Sequence, residues 1–154
     1  MAQPGVRIVP PGGRKRLNVL GADVTSIVSG ADTGGAYAMV EEASRPYAGP
    51  PVHKHSREDE AFYVLEGEYE VQLGDQVIRA TPGSFVFAPR GIPHTFQCVG
   101  TNPGRVHITI SPAGFERFLE EISEMASTGP PDMQKVVALA GKYGLEFLGP
   151  PPGP

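Results

Sequence analysis

GPPVHKHSREDEAFYVLEG, residues 49–67, is the stretch around which the chain is organised. His53 and His55 stand two apart, so in a strand they put two imidazoles on one face. A short turn follows, and Glu60 then arrives with apolar alternation behind it at Phe62 and Val64. Two imidazoles and a carboxylate converging on one point make most of a metal site. A fourth ligand is expected from a neighbouring strand. His94, in GSFVFAPRGIPHTF (residues 83–96), is the candidate.

These two stretches resemble the paired motifs of the cupins. The first cupin motif has Gly, five residues, His-x-His, three or four residues, Glu, six residues, Gly. Here His53-Lys54-His55 is followed after four residues by Glu60 and after six more by Gly67. The second motif has Gly, five residues, Pro-x-Gly, two residues, His, three residues, Asn. Here Gly83, Pro89-Arg90-Gly91 and His94 keep that spacing. Gly49 stands closer to His53 than the family pattern has it, and Cys98 replaces the final Asn; neither position is a ligand in the family. The resemblance implies an all-β fold, the cupin double-stranded β-helix or jelly-roll barrel. It also implies that Glu60, and not the adjacent Glu58 or Asp59, is the carboxylate ligand.

The chain has 154 residues, a length that suits one domain. Its 20 glycines and 17 prolines fit many short strands joined by tight turns. A net charge of −4 argues against a nucleic-acid or anionic-membrane partner. One cysteine excludes an internal disulfide. The opening MAQPGVRIVPPGG has no apolar run of signal-peptide length, and no segment has the length to cross a bilayer, so a cytoplasmic protein is expected.

The expected organisation has four parts within one domain. Residues 1–35 form an arm, with a possible edge strand at 6–9, and edge strands of the barrel. Residues 36–112 form the barrel core. Residues 113–148 form a helical segment and 149–154 a flexible tail. Ser111-Pro112 reads as a helix start, with Ser as cap and Pro in the first turn. Phe115, Phe118, Leu119, Ile122 and Met125 follow at helical spacing. After Pro130-Pro131, Asp132 caps a second helix, which Gly144 ends.

Four apolar residues, Phe62, Val64, Phe87 and Phe96, are the candidates to line a substrate pocket; barrel core is the competing reading of them. His107 reads as a surface or hydrogen-bonded histidine, and Cys98 as a buried filler. Three imidazoles and a carboxylate suit one divalent transition metal ion (Ni, Fe, Mn, Co, Cu or Zn) and not Ca. The ligand set and the segment GFERFLEEISE are similar to the quercetin 2,3-dioxygenase-like cupins. That likeness implies a dioxygenase that opens a flavonol or related enolisable ring with O2 and releases carbon monoxide. Glu60 would then be both ligand and catalytic base. A metal-assisted isomerase or polyketide cyclase, and a non-catalytic small-molecule-binding cupin, are the alternatives. A homodimer is expected from the short N-terminal β elements and the apolar helix faces.

Overall fold

The computed structural model describes residues 5–150. A 3-10 turn at Pro11–Gly13 precedes β1 (Lys15–Val19) and β2 (Ala22–Val28). The four-residue helix α1 (Gly30–Thr33) leads to β3 (Ala38–Ser44). Then come β4 (His53–His55), β5 (Asp59–Glu66), β6 (Glu68–Leu73), β7 (Gln76–Ala80), β8 (Phe85–Ala88), β9 (His94–Val99) and β10 (Gly104–Ser111). The chain ends in α2 (Glu116–Ala126), α3 (Met133–Lys142) and β11 (Leu145–Phe147).

The strands form two antiparallel sheets. One runs β1-β2-β3-β10-β5-β8 and the other β11-β4-β9-β6-β7. Their inner faces meet in a core that includes Val40, Phe62, Val71, Phe96 and Ile110. Period-two burial marks the inward faces: Val106, Ile108 and Ile110 are buried on β10, and Phe62 and Val64 on β5. Among the described residues no ladder joins the sheets into a closed barrel, so the expected closed topology takes the form of two open sheets packed face to face. Gly67 makes the single-residue corner between β5 and β6 at φ +76°, a conformation that glycine adopts without strain.

The differences from the expected elements have local causes. Residues 6–9 alternate in sequence but join neither sheet and form no strand. Ser111 does not cap a helix. The β10 ladder continues through it to pair with Asp59, and its hydroxyl donates to the Ala36 carbonyl. Helix α2 therefore starts later, at Glu116. Asp132 does cap α3, accepting from the Gln134 N–H at 2.9 Å. The segment expected to be helical to residue 148 ends in a strand instead: β11 pairs Leu145 with His55 and Phe147 with His53. Of the tail expected at 149–154, residues 151–154 lie outside the described residues, as do residues 1–4 of the arm.

Candidate metal centre

Strand β4 is three residues long, with both histidines turned inward and Lys54 between them outward. It lies between β11 and β9, where His53 is directly opposite His94. Glu60 reaches the same point from β5 in the facing sheet. All four side chains are buried, and their ligand atoms lie within 4.8 Å of one another. Two metal–ligand bonds of about 2.1 Å span at most about 4.2 Å, so the cluster is already near the size of an ion's first shell.

The ring orientations fit an ion. His53 Nδ1 is 2.8 Å from the Pro51 carbonyl and His94 Nδ1 is 3.0 Å from the Ile92 carbonyl. A carbonyl only accepts, so both Nδ1 atoms carry the proton and both Nε2 atoms turn their lone pairs inward. Yet His94 Nε2 lies 2.7 Å from Glu60 Oε2. A lone pair facing a carboxylate at that distance needs a cation between them, either a proton or a metal ion. His55 adds a second sign: its buried Nε2, on the cluster side of the ring, makes no hydrogen bond, with the Glu60 carboxylate 3.3 Å away. A buried polar atom without a partner is costly and calls for an explanation. The donor set, three imidazoles and one carboxylate, is that of a borderline transition metal site.

The charges respond to this crowding. Burial pushes the His53 imidazole down to about 4. Burial would also lower His55, but the Glu60 and Glu58 carboxylates outweigh it and carry it up to about 9. Burial would lift Glu60, and the His55 and His94 rings hold it well below the usual carboxylate range.

The centre opens into a cavity of about 780 Å³, within the range of small-molecule sites. His53 and Glu60 border it, and its walls are mainly apolar, with Val40, Phe96, Ile108, Phe115 and Phe118 among them. The β1–β2 hairpin, the loop over residues 45–51 and β11 frame it. That loop is strapped to β9 by Tyr47 N–H to Cys98 carbonyl and Cys98 N–H to Ala48 carbonyl bonds. Gly49 lets it lie so close, because a Cβ there would overlap the Phe96 carbonyl oxygen. The two non-glycine residues with left-handed backbone, Leu20 (φ 52°) and Tyr47 (φ 67°), both line this cavity. Backbone strain of this kind collects at functional sites.

Of the four apolar pocket candidates, Phe62 and Phe96 line the cavity, and the Phe62 ring centroid is 5.8 Å from that of His94. Val64 is buried in the core and does not border the cavity. Phe87 is a correction: it lies half-exposed on the outer face of β8 with Phe85, while Val86 and Ala88 turn inward. His107 is on the outer face, 2.8 Å from Glu41. Cys98 is fully buried, its Sγ 3.5 Å from the Asn102 carbonyl oxygen.

Two carboxylates escape a motif-based reading. Glu58 Oε2 lies 3.5 Å from His55 Nδ1, on the side of the ring away from Glu60. It follows His55 by three residues in a turn, and turn geometry gives no face from sequence. Glu42 lines the cavity. Its signal was present: Ala38, Val40, Glu42 and Ser44 alternate along one face of β3, and Glu42 is the acidic member of that series.

The family model for the cupin domain (Cupin_2) matches residues 42–111. No curated protein matches the sequence significantly. Among solved structures, KdgF from Halomonas sp. is similar with a TM-score of 0.65 at 20% identity, over 73% of this chain and 99% of that one. The polyketide cyclase RemF from Streptomyces resistomycificus is similar with a TM-score of 0.60 at 24% identity, over 70% of this chain and 80% of that one. A predicted oxalate decarboxylase from Thermotoga maritima has a TM-score of 0.60 at 20% identity, over 69% and 99%. At these identities the likeness is one of fold. Two facing sheets, the His53–His55–Glu60–His94 cluster between them and the matched family model together make residues 42–111 similar to a cupin domain.

Proposed function

We propose that the protein is a metal-dependent cupin oxygenase, similar to quercetin 2,3-dioxygenase, that cleaves a flavonol or related enolisable aromatic substrate with O2. One observation carries the reading: the four-residue cluster borders a large, mainly apolar cavity with room for a flat polycyclic molecule. His53, His55, Glu60 and His94 would hold one divalent transition ion. Such an ion, when bound, supplies a Lewis acid with open positions for substrate oxygen.

The residues of the chain supply the remainder. Glu60 takes the proton of the substrate hydroxyl as general base. Its Oε2, 2.7 Å from His94 Nε2 and 3.3 Å from His55 Nε2, stands among the other ligands of the ion and borders the cavity from which the hydroxyl arrives. Phe62 and Phe96 flank the bound ring, and the apolar walls keep water from the reactive enolate. The ring opens with consumption of O2 and release of carbon monoxide.

Glu60→Gln tests the base. The amide keeps the shape and an oxygen ligand, so metal is retained. Turnover per bound metal should fall by about 10²–10⁴-fold, the usual contribution of general-base catalysis. Wild-type turnover in the metal-loaded variant would leave Glu60 as a ligand only. A second reading, an oxygen-independent polyketide cyclase or isomerase, draws on the fold shared with RemF and on the same cavity. Flavonol turnover without O2 uptake decides for it. Bound metal with ligand binding and no turnover decides for a non-catalytic cupin. A homodimer in the cytoplasm completes the proposal.

A further inference from the structure

Glu41 and Glu42 are neighbours on β3 with opposite surroundings. Glu41 faces outward and is held by Arg105 at 2.9 Å and His107 at 2.8 Å. Glu42 faces inward, in register between Val24 of β2 and Val106 of β10, both buried. Its carboxyl borders the cavity, and among the described residues no hydrogen bond or ion pair reaches it. The side chain is half-buried, so on an apolar wall and without a partner from the chain it is left for whatever fills the cavity to satisfy.

Its position relative to the metal centre gives it a use. Glu60 stands in the row Glu60–Ile110–Ala38, and Glu42 in the row Val64–Val106–Glu42. The rows are four residues apart along β10, roughly 13 Å of strand. The two carboxylates are thus separated along the same cavity, with Phe62, Ile108 and Val40 in the row between.

We propose that Glu42 is the second polar anchor of the cavity, forming a hydrogen-bonded pair with a hydroxyl or carbonyl of the ligand at the end remote from the metal. The ligand class is then an elongated aromatic with two oxygenated ends and an apolar middle. This rests on the cavity being the substrate site, as proposed above. A carboxyl kept protonated can both donate to and accept from a ligand hydroxyl. Burial, and next the charge of Glu60, push the Glu42 carboxyl up to about 7, in keeping with that role. The other titratable groups near it are Tyr69 on β6, whose hydroxyl donates to Ser44 Oγ, and Arg45, which lines the cavity. Asp23, Arg105 and His107 on the flanking strands alternate to the outer face.

The test uses metal-loaded protein without O2 and two probes. 3-Hydroxyflavone has only the enolisable hydroxyl; quercetin carries further hydroxyls on its outer rings. Glu42→Leu should leave metal content and 3-hydroxyflavone affinity unchanged and weaken quercetin on the order of tenfold, the cost of stranding a hydrogen-bonding group. Glu42→Gln should bind quercetin but lose the part of the wild-type affinity that declines as pH rises through neutral. Equal quercetin affinity and equal pH profiles in all three proteins would overturn the proposal while leaving the oxygenase reading intact. If neither flavonol binds the wild type, the flavonol reading fails, and infrared titration decides on Glu42. A protonated-carboxyl band that persists to neutral pH and is absent in Glu42→Gln supports it as the proton-bearing group of the cavity. Ionisation in the ordinary carboxylate range overturns it.

Discussion

Glu58 and Glu60 flank one imidazole from opposite sides, 3.5 Å from Nδ1 and 3.3 Å from Nε2 of His55. The Nε2 side belongs to the cluster, so the Nδ1 side is where orientation is set. Carboxylates in that position fix the ring and raise its basicity as a ligand. Glu58→Gln should therefore lower metal affinity by about 10–100-fold without removing a ligand. His94→Ala removes a ligand and should strip the metal altogether; both are read by metal analysis and competitive chelation. Equal loss in the two variants would make Glu58 a ligand, and no loss in Glu58→Gln would reduce it to a packed side chain. Glu42 gives a pH prediction of its own. Its carboxyl ionises at about 4.5 in the unfolded chain and about 7 when folded. Its share of stability is complete below the lower value and is lost as pH rises through the upper one. Between about pH 5 and about pH 8, Glu42→Gln should lose less stability than wild type, as measured by urea midpoints. The four residues of the candidate cluster were legible because period two and motif spacing both place them. Glu58 was not, since a turn has no period, and Glu42 was visible only as an acid among inward-facing residues of β3.

At the scale of elements, the histidine strand depends on a distant one. β4 has three residues and one ladder partner on each side, β9 and β11. Short strands hold their side chains only as firmly as their neighbours hold them. Ending the chain after Gly144 removes β11, and with it the partners of His53 and His55 and two cavity-lining side chains, Leu145 and Phe147. The truncated protein should keep its β-rich circular dichroism and lose metal affinity although all four ligands remain. Wild-type metal affinity after truncation would show that β9 suffices. Nothing in the sequence Leu145-Glu146-Phe147 announces a strand, because three residues are too few for alternation and the pairing partner lies in the first motif. The face of Phe87 failed for a related reason. Alternation shows that Phe85 and Phe87 share a face, but the choice between inward and outward is made by Val86 and Ala88, which fill the space against the other sheet. The start of α2 was misread because a cap residue and a strand residue competed at Ser111, and the long β10 ladder won.

The whole molecule leaves apolar side chains outside. Tyr63 and Phe85 pair across β5 and β8 at the edge of the larger sheet, with Phe87 beside them, and all three are substantially exposed. Helix α2, by contrast, buries Phe118, Leu119 and Ile122 on its own chain. The proposed homodimer therefore has more to gain at the β8 edge than at α2, and Phe87→Ser should weaken it in light scattering; a wild-type monomer at every concentration removes the dimer. The open sheets also bear on the link between metal and stability. The two sheets share no ladder among the described residues, and the candidate centre joins them, with Glu60 from one and three histidines from the other. An ion there bridges the sandwich through bonds that the unfolded chain lacks. Binding to the folded state alone stabilises by about 2.7 kcal/mol at a free metal concentration of 100 times Kd. For a chain of this length each kcal/mol moves the midpoint by about 2–4 °C. Chelation should thus lower Tm by about 5–11 °C, with recovery on adding metal back. In His94→Ala the same chelation should change nothing. If wild type melts at one temperature with and without metal, the cluster is not a metal site. Its imidazoles and carboxylate are then joined by protons, and stability should fall as pH rises through the His55 value of about 9.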